Sequence, residues 1–374
     1  MAKKKRKTGK AVKPKRRNWF FGLTSRVLMM IVAGLLILSY ASIVVNPAKV
    51  WLISLVGIFF VPLSIVNLVL LLWAIKRRSK SFLIPLLALL PAFFFVGRYV
   101  RMDSEEDRVA RMFHTGGNTL KVISYNVGRF ALDDGTIDSR AECADSVFAF
   151  LESQDADIIC LQEFHTDDVD KVKSALERRM PDYKAEYYLF PTGRGAFGNV
   201  TLSRLPVNGK GVLKFENSAN LALYTDYSAY GRSFRVYNCH FESYNISLSG
   251  IMRAIAGRDK GVFAETGIKM KRSITRRPKQ VDKVFDDIEK CPVEAFVCGD
   301  FNDNPMSYTY YRMTRGRKDA FIESGRGFGA TYAALWPVLR IDYVLFPERC
   351  KGIDHSIPRL GFSDHYPVVA SIEL

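Results

Sequence analysis

Residues 294–305 read EAFVCGDFNDNP. Ala295 to Cys298 make an apolar run suited to a sheet covered on both faces, and the run stops at Gly299. Asp300, Asn302, Asp303 and Asn304 follow, and Pro305 forbids a continuing ladder because it has no N–H to donate. Side chains repeat every second residue along a strand, so Asp300 and Asn302 are expected on one face at its C-terminal edge. A carboxylate there can take a proton from water or hold a hard cation, and a carboxamide can donate to an anion. A plain Asx turn would use the same residues, so the choice rests on the remainder of the chain.

Working outward, the same arrangement recurs. The stretch 120–126, LKVISYN, reads as a strand ending on Asn126, and 157–163, DIICLQE, as one ending on Glu163. The stretch 234–240, FRVYNCH, ends on His240; 340–346, RIDYVLF, carries Asp342 just inside its start. Ser363-Asp364-His365 leads into a last strand, 368–372. Ala144, Val147, Phe148 and Leu151 fall on one helical face, as do Val281, Val284, Phe285 and Ile288. These strands are apolar runs rather than clean alternations, so their sheets must be covered on both faces. Two stacked sheets with helices outside meet that requirement best, and a single doubly wound sheet is the alternative.

Overall charge points elsewhere at first. The chain has 54 Lys+Arg against 38 Asp+Glu, a balance that would suit nucleic acid. Residues 1–111 hold 20 basic and 4 acidic residues, whereas 112–374 hold 34 of each, so the whole excess lies in the N-terminal third. That third reads as a membrane region. A basic tail precedes uncharged runs at 27–45, 50–75 and 82–96, the second with Trp51 and Trp73 near its ends. The third run is short and holds Pro85 and Pro91. The expected organisation is a basic cytoplasmic tail at 1–26, about three transmembrane helices within 27–97, a polar linker at 98–118 and a globular domain at 119–374. Lys and Arg flank the first span and fill the 76–80 loop, which puts both on the cytoplasmic side of a cell membrane. If the third run spans, the globular domain is extracytoplasmic.

The polar residues at strand ends form a set: Asn126, Glu163, His240, Asp300, Asn302, Asp342, Asp364 and His365. Carboxylate and carboxamide oxygens suit Mg²⁺ or Mn²⁺, while histidines and an asparagine can contact a phosphate and the charge developing on it. No serine or cysteine nucleophile elbow and no Walker loop is present. Cys160, Cys239 and Cys298 sit inside strand runs as small apolar residues, and no cysteine spacing matches a zinc motif. The pattern points to metal-assisted hydrolysis without a covalent intermediate.

In order along the chain, YN at 125–126, LQE at 161–163, the His of NCHFES at 240, GDFN at 299–302, the Asp of RIDYVLF at 342 and SDH at 363–365 resemble the motifs of the endonuclease/exonuclease/phosphatase, or deoxyribonuclease I-like, superfamily. The resemblance covers roughly 119–374. It implies a four-layer α/β/β/α sandwich and metal-dependent hydrolysis of a phosphodiester in a nucleic acid, phospholipid or sugar phosphate. The bilayer, expected as a second partner, follows from the apolar N-terminal runs and not from the resemblance, which covers none of them. The resemblance further implies Glu163 as principal metal ligand with Asn126 beside it and Asp364 as a further candidate. Asp300 would orient or deprotonate water, Asn302 would hold the phosphate, and His240 would bind a phosphate oxygen. His365, paired with Asp342, would stabilise the transition state or the leaving group. Some nuclease members carry an acidic residue where this chain has Gly128, which weakens a two-metal or abasic-site reading. A membrane scaffold that keeps the fold without catalysis is the alternative from another class.

Overall fold

The computed structural model describes residues 19–113, 117–131, 140–244 and 260–374. Its strands are β1 (Val100–Arg101), β2 (Thr119–Asn126), β3 (Ile158–Thr166), β4 (Lys184–Pro191), β5 (Ala196–Ser203), β6 (Val207–Lys214) and β7 (Leu221–Ala229). They continue with β8 (Arg232–His240), β9 (Glu294–Asp300), β10 (Arg317–Asp319), β11 (Gly327–Phe328), β12 (Asp342–Pro347), β13 (Lys351–Ser356) and β14 (Val368–Glu373). One six-stranded sheet has the order β13-β14-β2-β3-β5-β4 and the other β10-β12-β9-β8-β7-β6.

Each sheet contains one parallel pair, β2 with β3 and β8 with β9. A parallel pair needs a crossover, and the chain supplies a helix for each: Arg140–Ser153 in the first sheet and Lys260–Lys290 in the second. The apolar runs are explained by what covers them. Val122, Ile158 and Cys160 of one sheet meet Val236, Phe296, Cys298 and Val344 of the other to form the middle layer. Val147, Phe148 and Leu151 cover the outer face of the first sheet; Val281, Val284, Phe285 and Ile288 cover that of the second. The expected α/β/β/α sandwich is the observed one. All six cysteines are free, and Cys160, Cys239 and Cys298 are fully buried among apolar neighbours.

Helices Trp19–Ala41, Phe60–Lys76 and the pair Leu83–Leu89 and Phe93–Val96 form an up-down-up bundle. Thr24, Ser25 and Leu28 lie beside Val69, Leu70 and Trp73, so the first two run antiparallel. At the other end, Tyr40 donates to the Ala88 carbonyl at 2.7 Å and stacks on Phe95, and Phe60 stacks on Tyr99. Only Leu23–Ala41 is long and apolar enough by itself to cross a membrane among the described residues. The run 50–75 is one stretch in sequence but two helices in space, Trp51–Ile58 and Phe60–Lys76, bent by 61°. Pro62 explains the break, since it has no N–H for the Ile58 carbonyl one turn back. Among the described residues, 25 of the 37 exposed large apolar side chains lie between Leu23 and Val96, a density that water alone does not favour.

The bundle is docked on the sandwich. Met306 inserts among Ala33, Leu36, Phe60, Ala88 and Tyr99. Asn304 donates to the Gly57 carbonyl at 3.2 Å, and Arg98 donates to the Pro305 carbonyl at 2.8 Å from between the rings of Phe95 and Tyr310. Stretch 98–118 carries structure of its own: β1 pairs with β11, and Arg108 of helix Glu105–Phe113 bonds Asp354 at 2.7 Å.

Candidate active site

Both parallel pairs end at the same edge of the sandwich, and that edge gathers the polar residues. His240, Asp300 and Asp342 are register partners on adjacent strands β8, β9 and β12, forming one row across the second sheet. The first sheet contributes Asn126 at the end of β2 and Glu163 within β3. Sequence placed Glu163 at a strand end, but β3 continues to Thr166. The pairing with β5 slips between Leu161 and Phe164, and Glu163 takes a left-handed φ of 51°. That bulge turns the carboxylate toward the second sheet.

Two glycines shape this edge. A Cβ on Gly299, whose φ is 139°, would fall 1.9 Å from the Cys239 carbonyl oxygen, so only glycine lets β9 approach β8 beside Asp300. Gly128 has φ of 52°, and a Cβ there would come within 3.2 Å of Ser363 Oγ and Asp364 Oδ1. The turn continues left-handed through Arg129 and Phe130 and brings Arg129 Nε to 3.3 Å from Glu163 Oε2.

Asp300 is the hub. Its carboxylate accepts from the Asn302 backbone N–H at 2.8 Å, from Asn302 Nδ2 at 2.9 Å and from Asn126 Nδ2 at 3.0 Å. His240 Nε2 and His365 Nε2 each stand 3.8 Å from Asp300 Oδ2, too far for a hydrogen bond and near enough for charge. Burial and the nearby Asp342 carboxylate raise Asp300 to about 6, against the lowering influence of the two histidines and Asn126. His365 Nδ1 lies 2.9 Å from Asp342 Oδ2. Burial pushes the imidazole down, but the Asp342 and Asp300 carboxylates together hold it well above its usual value. His240 Nε2 is buried 3.7 Å from Glu163 Oε1 and has no hydrogen-bond partner.

Asn302 Nδ2 donates to both the Phe241 carbonyl, at 3.0 Å, and Asp300, so in this geometry it orients the carboxylate rather than presenting N–H to a phosphate. Asp364 is exposed at the rim, while its neighbour Ser363 donates to the Asn126 carbonyl at 2.8 Å. Ligand atoms of Asp300, Asp342 and His365 lie within 4.8 Å of one another. The short Nδ1–carboxylate bond makes Asp342 and His365 a dyad, and the third member, Asp300, is held instead by Asn126 and Asn302. Glu163, the oxygen donor at the mouth, together with Asn126, offers hard oxygens of the kind that fit Mg²⁺ or Mn²⁺. His240 Nε2, buried between the Glu163 and Asp300 carboxylates without a hydrogen-bond partner, is left available to a group that enters the site. The site opens into a cleft of about 300 Å³ lined by Arg129, Glu163, His240, Lys269, Arg272 and Arg276.

Several contributors were not singled out from sequence. Tyr332 sets its ring 5.3 Å from that of His365, and Thr331 Oγ1 accepts from the Ile341 and Asp342 N–H groups. Asn238 bonds Gln162 at 2.8 Å, the Val200 carbonyl at 2.9 Å and Asn199 through its own carbonyl, tying the two sheets together behind the site. Asn238 was findable, since it lies two residues before His240 on the same strand face. Arg129 and Tyr332 carry no such signal.

Residues 123–365 match the model of the Endonuclease/Exonuclease/phosphatase family, and residues 18–99 match a domain of unknown function. No curated protein matches the chain. An endonuclease/exonuclease/phosphatase from Beutenbergia cavernae superposes with a TM-score of 0.50 at 19% identity, covering 69% of this chain and 72% of that one. One from Bacteroides vulgatus superposes with a TM-score of 0.51 at 18% identity, covering 68% and 99%. At these identities the likeness is one of fold.

Proposed function

The chain belongs to the endonuclease/exonuclease/phosphatase family, and from that premise we propose that it is a membrane-anchored, divalent-metal-dependent phosphodiesterase. The observation that carries this reading is the row His240–Asp300–Asp342 facing Glu163 and Asn126 across the sandwich, with an unpartnered His240 Nε2 at one end of the row. Glu163 with Asn126 would hold Mg²⁺ or Mn²⁺, which when bound supplies Lewis-acid charge against the phosphate oxygens.

The chain's own residues supply the rest. Asp300, raised to about 6, is ionised near neutral pH yet basic enough to take a proton from an attacking water. Asn302 and Asn126 fix its orientation. His240 donates from Nε2 to a phosphate oxygen. His365, kept cationic by Asp342, faces the site through Nε2 and donates to the leaving oxygen as the phosphorus–oxygen bond breaks. Arg129 and the wall of Lys269, Arg272 and Arg276 attract the anionic substrate into the cleft. Charge thus segregates locally in a domain with no net charge.

The exposed apolar side chains of the helices support setting the bundle in a bilayer. Its up-down-up course supports a catalytic domain across the membrane from the N-terminus and the 76–80 loop. The full-length protein in detergent should hydrolyse bis-p-nitrophenyl phosphate with Mg²⁺ or Mn²⁺ and lose that activity in EDTA. Absence of turnover with either ion would leave the non-catalytic scaffold.

A further inference from the structure

Outside the bundle, exposed large apolar residues on the sandwich are mostly scattered singly, as Val169, Tyr230 and Ile268 are. One group is not. Phe328 is 51% exposed, and Leu335, Trp336 and Val338 are 43%, 41% and 36% exposed on a loop between Thr331 and Leu339. The rings of Phe328 and Trp336 are 5.7 Å apart, so the four form one patch.

The loop is held at its base by the active site. The Ala333 N–H donates to the Asp364 carbonyl at 2.8 Å, Tyr366 N–H donates to the Thr331 carbonyl at 2.7 Å, and Tyr332 bridges to His365. Its tip therefore projects from the immediate surroundings of the dyad. The patch also adjoins the end of the helical bundle. Phe328 is the register partner of Val100, and the Gly329 N–H donates at 2.8 Å to the carbonyl of Tyr99, whose ring stacks on Phe60. Where the last helix leaves the bundle, Phe93, Phe94 and Val96 are exposed, and Arg359 lies 4.9 Å over the Trp336 ring. An aromatic beside a cation, next to an apolar belt, is the composition of a membrane–water boundary.

We propose that Phe328, Leu335, Trp336 and Val338 seat in the headgroup–acyl boundary of the bilayer that holds the helices, so that the substrate is a phospholipid whose phosphate ester is presented from that surface. This rests on the membrane-anchored phosphodiesterase reading and narrows it. A nucleic-acid surface would also use an exposed tryptophan, but Leu335 and Val338 offer no face for base stacking, whereas acyl chains accept both. The continuity from Tyr99 through Val100 to Phe328 gives the patch a fixed relation to the bundle end.

Two measurements on the full chain in lipid nanodiscs test the idea. The difference in emission between the wild type and Trp336→Phe isolates Trp336, and bromine-labelled acyl chains should quench it while iodide in solution does not. Quenching by iodide alone would overturn the seating. Leu335→Ser combined with Val338→Ser should lower hydrolysis of phosphatidylcholine–phosphatidylglycerol vesicles about tenfold or more, because each buried aliphatic side chain contributes on that scale. Hydrolysis of bis-p-nitrophenyl phosphate should stay within about twofold, since neither side chain touches the dyad. Equal loss on both substrates, or cleavage of a single-stranded oligonucleotide but not of vesicles, would overturn the lipid assignment. If the wild type cleaves neither bis-p-nitrophenyl phosphate nor lipid, the phosphodiesterase reading fails and the substrate assignment with it, while the quenching result decides the seating independently.

Discussion

The side-chain amide of Asn304 donates a hydrogen bond to the main-chain carbonyl of Gly57 across 3.2 Å, joining the loop behind Asp300 to the N-terminal helices. Asn304 Oδ1 also accepts from the Met306 N–H at 2.8 Å, and Met306 itself is fully buried in the bundle. The helices are therefore part of the scaffold that positions the loop, beyond any role as an anchor.

It follows that Asn304→Ala leaves the buried Met306 N–H without its acceptor, at a cost of about 1–3 kcal/mol, and takes one donor from the Gly57 carbonyl. The full-length variant should melt at a lower temperature and turn over bis-p-nitrophenyl phosphate more slowly. Deleting residues 1–99 should be worse, because it uncovers Met306 and Tyr310. Thermal unfolding and turnover measured side by side check this, and unchanged values would show the junction to be inert.

Removing the proposed base should cost most of the rate. Asp300→Asn is expected to lower turnover by ~10²–10⁴-fold, the usual range for general-base assistance. Glu163→Gln should instead raise the metal concentration needed for half-maximal activity. Titrating Mg²⁺ and Mn²⁺ against each variant separates the two effects, and an Asp300→Asn enzyme with full activity refutes the mechanism.

The histidines offer a test that needs no substrate. In the metal-free protein, His365 should keep its proton through the ordinary imidazole range, because Asp342 and Asp300 hold it well above the usual imidazole value, although burial opposes this. His355, lowered to about 4 chiefly by burial, should stay neutral over the same range. For His365 the sign is that of a raised group. Its contribution to stability is complete below the ordinary imidazole value and is lost only as pH rises through the raised one. Nitrogen-15 histidine spectra should show neither ring titrating, and Asp342→Asn should bring His365 back into range. A His365 ring that titrates normally in the wild type would remove the dyad from the mechanism.

The same pair should behave as a unit in kinetics. His365→Ala and Asp342→Asn are each expected to lower turnover, and the double variant should be little worse than the more damaged single one. Additive losses would mean that the two act separately.

Sidedness is open to a direct assay. The helical run 82–96, interrupted near Pro91, carries the chain from the 76–80 loop to the sandwich. A C-terminal alkaline-phosphatase fusion should be active and a green-fluorescent fusion dark. The reverse result would place the site in the cytoplasm and point to intracellular phosphoesters.

Most of the site's membership was legible in the chain. Asn126, His240 and Asp300 each close an apolar run, and burying an apolar strand up to its last residue leaves that residue at the open edge. Glu163 was legible as a residue but not as a conformation, because nothing in LQEF announces a bulge with a left-handed backbone. Asn302 was expected to hold phosphate, and its placement beside Asp300 and the Phe241 carbonyl gives its amide other work. Arg129 and Tyr332 were invisible, since their partners Glu163 and His365 lie 34 and 33 residues away and neither sits in a periodic pattern.

By itself the sequence determined the strands that lead to the site, the polar residues at or near their ends, and the division between an apolar, basic N-terminal third and a neutral domain. These are local properties: burial periodicity, turn chemistry and hydrophobic length act over a few residues. Only the tertiary structure decided that His240, Asp300 and Asp342 share one row, that Glu163 faces them from the other sheet, and that Met306 sits among the N-terminal helices. Sheet order and docking depend on which distant surfaces bury each other best, and that free energy is a property of the assembled core rather than of any stretch within it.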